Sequence, residues 1–354
     1  MKHSEMSLFK QFTRIGPGVA VLGWLPSRCL KTPPHPLECD KCTNACPVSA
    51  IVFQDIENSG ELTLTISDNC HGCSQCVPAC PTEAIFSAET TALISKQKAH
   101  QTLDLTCHRA VNQDNSGHHI HCLRSLGEDV LAELGANALP EIVTLYIPDN
   151  CRGCDAAPIE PNDDWLENAN AICHLTNVAA QSPYQPPRSA ISRRDLLLGR
   201  PTASLPNIPF DDAAPKARRL QRQANAAQTL GPHASPSYLN VLLDTDACVA
   251  HGVCSKVCPT QALTEDDGAL VFNPPECISC GHCVSACPEK ALTASSSVNG
   301  NIVTLRQSEH PTCRSCGHLF QQRNTSNNEN TMLTCPACQR EAMLMQESFH
   351  DLFH

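Results

Sequence analysis

Four stretches of the chain end in one arrangement of thiols, C-x3-C-P: CDKCTNACPVSAI (39–51), CHGCSQCVPACPTEAI (70–85), CVAHGVCSKVCPTQAL (248–263) and CISCGHCVSACPEKAL (277–292). Each closes on Cys-Pro, two further residues, Ala, and then Ile or Leu. A deprotonated cysteine is a soft ligand suited to iron and zinc. A C-x2-C-x2-C loop wraps three thiolates around one cubane iron–sulfur cluster, and its turned backbone aims N–H groups at the sulfides. In a C-x2-C-x2-C-x3-C-P run the fourth cysteine reaches across to a second cluster. The proline after it has no N–H to satisfy and a fixed φ, so it stops the chain cleanly at the crossing. The apolar pair that follows covers the cluster from water, which influences its potential. Zinc knuckles or idle thiols would not need four matched Cys-Pro repeats.

The repeats fall into two pairs, joined by short connections from Cys46 to Cys70 and from Cys258 to Cys277. These motifs resemble bacterial two-cluster ferredoxins and polyferredoxins over roughly residues 29–90 and 240–300. The resemblance implies two dicluster modules with [4Fe-4S] clusters, up to four in all. It implies that Cys70, Cys73 and Cys76 hold one cluster closed by Cys46, and that Cys277, Cys280 and Cys283 hold another closed by Cys258. The remaining site of each module departs from the pattern. In the first module Cys39 and Cys42 are joined by Cys80, but Pro36 stands where the other thiol belongs. Cys29, a short loop upstream, is the candidate replacement, because a loop of that length closes at small entropic cost; the alternative is a three-iron site with Cys29 idle. In the second module Cys248 and Cys254 are joined by Cys287, and His251 stands at the missing position. Three readings stay open there: a His-ligated four-iron cluster, a three-iron cluster with His251 nearby, or a solvent-facing His251. Fewer thiolates raise the potential, so each reading places this cluster above its neighbour.

The C-terminal region pairs Cys313-x2-Cys316 with Cys335-x2-Cys338, a spacing that makes a tetrahedral four-thiolate site. It resembles a zinc ribbon or a rubredoxin-like tail. Zinc is favoured over iron because the aromatic residues that would shield a rubredoxin iron are sparse. Between the modules, HIHCLRSL reads as a strand turning into a helix, EDVLAELGANA as a helix and EIVTLYI as a strand followed at once by DNCRGC. This predicts a small α/β domain bearing Cys107, Cys122, Cys151, Cys154 and Cys173. Cys107, Cys151 and Cys154, with either Cys122 or Cys173, are candidates for a further metal site; a redox dithiol or ordinary buried thiols are the alternatives.

Composition narrows the class. With 24 Cys, 27 Pro and 4% aromatic residues in 354, the chain suits several small metal-organised modules better than one large core. A net charge of −11 disfavours nucleic acid and suits basic patches on a redox protein partner such as an oxidoreductase subunit. The apolar run GPGVAVLGWL is short and broken by Gly and Pro, and no run approaches a membrane span. The expectation is a cytoplasmic protein, with peripheral membrane association left open. SRRDLLLG, from Ser192, resembles an export motif but is internal, and Ser192 with Asp195 has capping-box spacing. The stretch APKARRLQRQANAAQTL, with Lys216, Arg218, Arg219 and Arg222, reads as a basic helix whose charges form a solvated face.

The expected architecture is α+β and multidomain. It comprises a first dicluster ferredoxin module with an N-terminal extension (1–95), a central α/β domain (96–190), a linker with the basic helix (191–237), a second dicluster module (238–300) and a zinc-ribbon or rubredoxin-like tail (301–354). Neither a Gly-rich nucleotide fingerprint nor a hydrolytic constellation is visible, so the chain reads as an electron-transfer subunit or accessory protein. The expected function is relay of single electrons in anaerobic or respiratory metabolism. The alternative is an accessory ferredoxin that matures a molybdenum oxidoreductase or related metalloenzyme.

Overall fold

The computed structural model describes residues 22–33, 37–55, 62–110, 117–157, 164–180, 215–266, 269–297, 299–307, 313–318, 334–335, 337–338 and 340–342. Pro36, the SRRDLLLG segment and the polar loop between the C-terminal knuckles lie outside them. The chain divides into two compact units, Met1–Pro236 and Ser237–His354. Among the described residues no helix is long and apolar enough to cross a membrane.

In the first unit, strand β1 (Leu22–Trp24) pairs antiparallel with β4 (Ile85–Ser87), and β2 (Ile51–Asp55) with β3 (Leu62–Ile66). Their inward residues Leu22, Trp24, Ile51, Leu64 and Ile85 form one cluster with the buried thiols Cys42, Cys76 and Cys80. Two-stranded sheets of this size bury little apolar area, so metal ligation must supply much of the module's stability.

A different architecture follows in the same unit. Strands β5 (Leu103–Cys107), β6 (His118–Ile120), β7 (Val143–Pro148) and β8 (His174–Val178) form a parallel sheet in the order β6-β5-β7-β8. The helices Glu128–Ala138 and Asp164–Ile172 make the crossovers into β7 and β8. Parallel strands covered by helices need apolar residues at nearly every position, and VTLYIP of β7 is buried at all but Tyr146. Leu105, Leu131, Leu134, Leu145 and Ile147 make the core.

The helix Arg218–Leu230 packs against Glu128–Ala138. Here the expected solvated basic face is corrected for Arg219 and Arg222. Arg222 pairs with Glu83 at 2.7 Å and Glu133 at 3.3 Å and also with the buried carboxylate of Asp129. Arg219 donates to the carbonyls of Val77 and Pro78, within the ligand-bearing helix Cys76–Ala79. The acidic residues lie far from these arginines in sequence, so the local charge run gave no sign of its partners.

In the second unit, β9 (Tyr238–Leu243) pairs antiparallel with β12 (Leu292–Ser297). Strands β10 (Leu263–Asp266), β11 (Ala269–Phe272) and β13 (Val303–Arg306) form an antiparallel sheet in the order β10-β11-β13. Val241, Leu263, Leu270, Phe272 and Leu292 fill its core, against which Cys254, Cys258, Cys277, Cys283 and Cys287 pack.

Candidate metal centres

The four Cys-Pro repeats fold alike. The residue before each repeat's alanine takes a left-handed backbone: Ser49 (φ 48°), Glu83 (φ 52°), Gln261 (φ 57°) and Lys290 (φ 52°). None is glycine, and such a conformation costs roughly 1–2 kcal/mol per residue for an L side chain. What holds it is visible in three of the four turns. The N–H of Ala50 donates to Cys46 Sγ at 3.2 Å, that of Ala84 to Cys80 Sγ at 3.2 Å, and that of Ala291 to Cys287 Sγ at 3.4 Å. Each turn thus aims a donor at the thiol that crosses between clusters, where it stabilises a thiolate. The alanines are buried, and the next residue opens β2, β4, β10 or β12. The repeated Ala-Ile or Ala-Leu is therefore the point at which ligand loop becomes core.

In the first module one cavity is lined by Cys29, Cys39, Cys42 and Cys80. Trp24, Phe53, Leu64 and Ile85 close it, with Trp24 set edge-on to Phe53 at 6.4 Å. Burial, then the neighbouring thiols Cys80, Cys29 and Cys39, pushes the Cys42 thiol up to about 12. Cys46, Cys70, Cys73 and Cys76 come together beside this set. Burial, followed by Cys73, Cys70, Cys42 and Cys46, pushes Cys76 well above the ordinary thiol range. Thiols crowded and buried in this way stay protonated until a cation displaces the proton, which couples metal binding to proton release.

The second module repeats the arrangement. Burial and mutual repulsion with Cys280, Cys277 and Cys258 push Cys283 up to about 12, and burial with Cys280 and Cys258 pushes Cys277 up to about 11. Its other set has Cys254 raised by burial, with Cys248 and Glu265 adding to the shift. His251 is exposed, yet its backbone occupies a ligand's place. Ala250 (φ 58°) and Gly252 (φ 69°) flank it, as Gly72 (φ 67°) and Ser74 (φ 57°) flank Cys73 and as Ser279 (φ 54°) and Gly281 (φ 71°) flank Cys280. Beside it lies an ion pair that sequence reading missed. Arg306 of β13 donates through Nη1 to Cys248 Sγ at 3.3 Å and through Nη2 to Glu265 at 2.6 Å. A Cβ at Gly252 would stand 2.6 Å from Glu265 Oε2, so the glycine both permits the turn and makes room for the carboxylate.

At the C-terminus the ligand atoms of Cys313, Cys316, Cys335 and Cys338 all lie within 4.8 Å of one another, the size of a single tetrahedral metal ion. The N–H of Cys335 donates to Cys313 Sγ at 3.2 Å, and Gly317 (φ 71°) turns the first knuckle. Backbone donors, that of Cys335 foremost, lower Cys313 to about 6.

The central cysteines divide. Cys107, Cys122, Cys151 and Cys154 line one cavity, together with Arg109 and Arg124. Cys173 lies in the sheet's apolar core, where burial alone pushes its thiol up to about 12. The ring of His121 stacks on His108 at 4.7 Å, and its Nε2 donates to the carbonyl of His71 at 2.7 Å. Burial, with His108 beside it, lowers His121 to about 4, so this ring is neutral at physiological pH.

Residues 37–84 and residues 240–288 each match a family model described as a 4Fe-4S dicluster domain. The first span holds every cysteine of the repeats that begin at Cys39 and Cys70, and the second every cysteine of those that begin at Cys248 and Cys277. Cys29, the central cysteines and the tail lie outside both spans. No curated protein matches the chain. The two dicluster domains, with the four-cysteine metal site at the C-terminus, fit a duplicated dicluster ferredoxin with a zinc-ribbon-like tail, an iron–sulfur electron-transfer protein.

Proposed function

We propose that the chain relays single electrons between protein redox partners in anaerobic or respiratory metabolism. The observation that carries this reading is the pairing of thiol sets. In the first module Cys42, of one set, and Cys76, of the next, are buried in the same packed cluster. Ligand sets that adjoin hold their groups close enough for an electron to pass without a diffusing carrier. Each cluster, when bound, accepts and releases one electron, and the protein supplies ligation, shielding from water and charge.

The ligand sets are Cys29, Cys39, Cys42 and Cys80; Cys46, Cys70, Cys73 and Cys76; Cys258, Cys277, Cys280 and Cys283; and Cys248, Cys254 and Cys287. Cys29 is included because it shares the cavity of its three partners. The last set is read as a three-iron site, because the imidazole of His251 is exposed although its backbone is placed for ligation. The tail site is read as structural zinc. The net charge of −11 favours docking to basic partners.

The test is an anaerobic mixing experiment with the full chain. Dithionite-reduced protein is mixed with an oxidised one-electron acceptor protein, and iron in both components is followed. A relay passes electrons and keeps its iron. Transfer of iron or intact clusters to an apo-acceptor would instead establish a maturation role.

A further inference from the structure

We propose that Cys107, Cys122, Cys151 and Cys154 hold a further four-iron cluster, placed against the loop that carries Cys70, Cys73 and Cys76. The proposal rests on the iron–sulfur reading of the first module and adds to it a redox centre in a domain of different architecture.

Topology brings the four thiols to one edge. Cys107 ends β5, Cys122 follows the end of β6, and Cys151 and Cys154 follow the end of β7. These strands are neighbours in the order β6-β5-β7, and the sheet's winding direction reverses at β5. Parallel sheets bind ligands at this place, outside the carboxyl ends of the strands where the order reverses. Cys173 immediately precedes β8, which puts it at the opposite end of the sheet. The topology therefore selects Cys122 over Cys173.

Three observations fix the kind of group. The central cavity is lined by four thiols, Cys107, Cys122, Cys151 and Cys154, as the first module's is by Cys29, Cys39, Cys42 and Cys80. Among the described residues, the tail set is the one whose ligand atoms all lie within 4.8 Å of one another; the central thiols are spread more widely, as are those of the dicluster modules. The segment Cys151–Cys154 also copies a ferredoxin ligand loop. Gly153 (φ 64°) precedes Cys154 as Gly72 (φ 67°) precedes Cys73 and Ser279 (φ 54°) precedes Cys280. Two buried arginines, Arg109 and Arg124, line the cavity and offset the charge that four thiolates bring into it.

The neighbouring loop is held close by two hydrogen bonds. His121, next to Cys122, donates to the His71 carbonyl at 2.7 Å, and Gln75 Nε2 donates to the Ala156 carbonyl at 2.5 Å. The central site thus adjoins the set of Cys46, Cys70, Cys73 and Cys76, and the first unit would hold three centres in sequence.

The experiment compares iron and acid-labile sulfide in anaerobically reconstituted full chain, in a Cys151→Ser/Cys154→Ser variant and in Cys173→Ser. The double variant is expected to lose about four irons and about four sulfides per chain, and Cys173→Ser to lose none. Hydrogen exchange of the helix Glu128–Ala138, measured in the same samples, reports that the central sheet of the variants has folded. A second readout is the EPR spectrum of fully reduced protein, in which coupling between adjacent clusters broadens the signal of the Cys70 set; the double variant should sharpen it. An iron count unaltered by the double variant, a loss of about two irons, or zinc in place of iron at these thiols would overturn the proposal. Absence of iron from all samples would sink the relay reading with it, whereas a variant-insensitive count sinks this site alone.

Discussion

Replacing Arg306 by Met keeps an apolar stem in place but removes the cation that touches both Cys248 and Glu265. The guanidinium donates to Cys248 Sγ at 3.3 Å, and its side chain is only 10% exposed. A reduced cluster carries one more negative charge than an oxidised one, so a nearby cation favours reduction and its loss lowers the potential. With the added electron centred roughly 6–7 Å from the guanidinium and an effective dielectric of about 20, Coulomb's law gives about 2.5 kcal/mol. For one electron, at about 59 mV per 1.4 kcal/mol, this corresponds to about 100 mV. Solvent entering the emptied space weakens the effect, so the expected fall is about 50–100 mV. The double variant Arg306→Met/Glu265→Gln removes a near-neutral pair and should return to within about 30 mV of the parent, because the two charges act on the cluster with opposite sign. The assay is a redox titration of the full chain monitored by EPR, in which this cluster is followed apart from the complete four-cysteine sets. A single variant that moves the potential by less than about 20 mV, or a double variant that moves it as far as the single, would refute the reasoning.

Other expectations are more direct. His251→Cys places a thiol between two left-handed residues, as at Cys73 and Cys280, and should add about one iron per chain while abolishing the three-iron EPR signal of oxidised protein; a signal that persists would mean the gap lies elsewhere. Cys29→Ser should open the first module's cavity site and create a second three-iron signal, and an unchanged spectrum would show Cys29 to be idle. Arg222→Met leaves the buried Asp129 carboxylate without its cation, which costs about 3–5 kcal/mol; hydrogen exchange of the helix Arg218–Leu230 should accelerate, and unchanged protection would count against the clasp. The pairing of Arg222 with Glu83 carries a pH dependence: burial opposes ionisation of Glu83, but Arg222 and then Arg219 win, so its folded-state pKa lies below the ordinary 4.5. Its contribution is present above that value and lost as pH falls through the lower folded one, and exchange of the helix should rise in that window and not near neutrality.

What the sequence disclosed and what it withheld divide by the range of the interaction. Ligand spacing is local, so the repeats stand out in the sequence itself, and the two matched spans fall on them. The helix Glu128–Ala138 and strand Val143–Pro148 were equally legible, because a 3.6-residue period and an unbroken β-rich apolar run are signals within one segment. The left-handed turns at Ser49, Glu83, Gln261 and Lys290 had no such signal. Glycine normally marks that conformation, and here a sulfur acceptor or its surroundings impose it on ordinary residues. The pairing of Arg306 with Glu265 spans 41 positions and that of Arg222 with Glu83 spans 139, so charge pattern along the chain could not reveal either.

The choice between Cys122 and Cys173 shows the same boundary in the site itself. Spacing treats the two thiols alike, since both are isolated cysteines in an apolar setting. Strand order separates them, because a parallel sheet sends every carboxyl end to one edge and every amino end to the other. Cys122 then joins Cys107, Cys151 and Cys154 beside the ferredoxin loop, and Cys173 becomes a core thiol. The sheet accordingly does two jobs with one geometry. Its apolar strands pack a core of their own, separate from that of the dicluster module, and its carboxyl edge brings four thiols beside the module's ligand loop. A perturbation of β7 is therefore expected to reach the Cys70–Cys76 loop through the Gln75–Ala156 and His121–His71 hydrogen bonds, which join the two architectures at the point where their thiols meet.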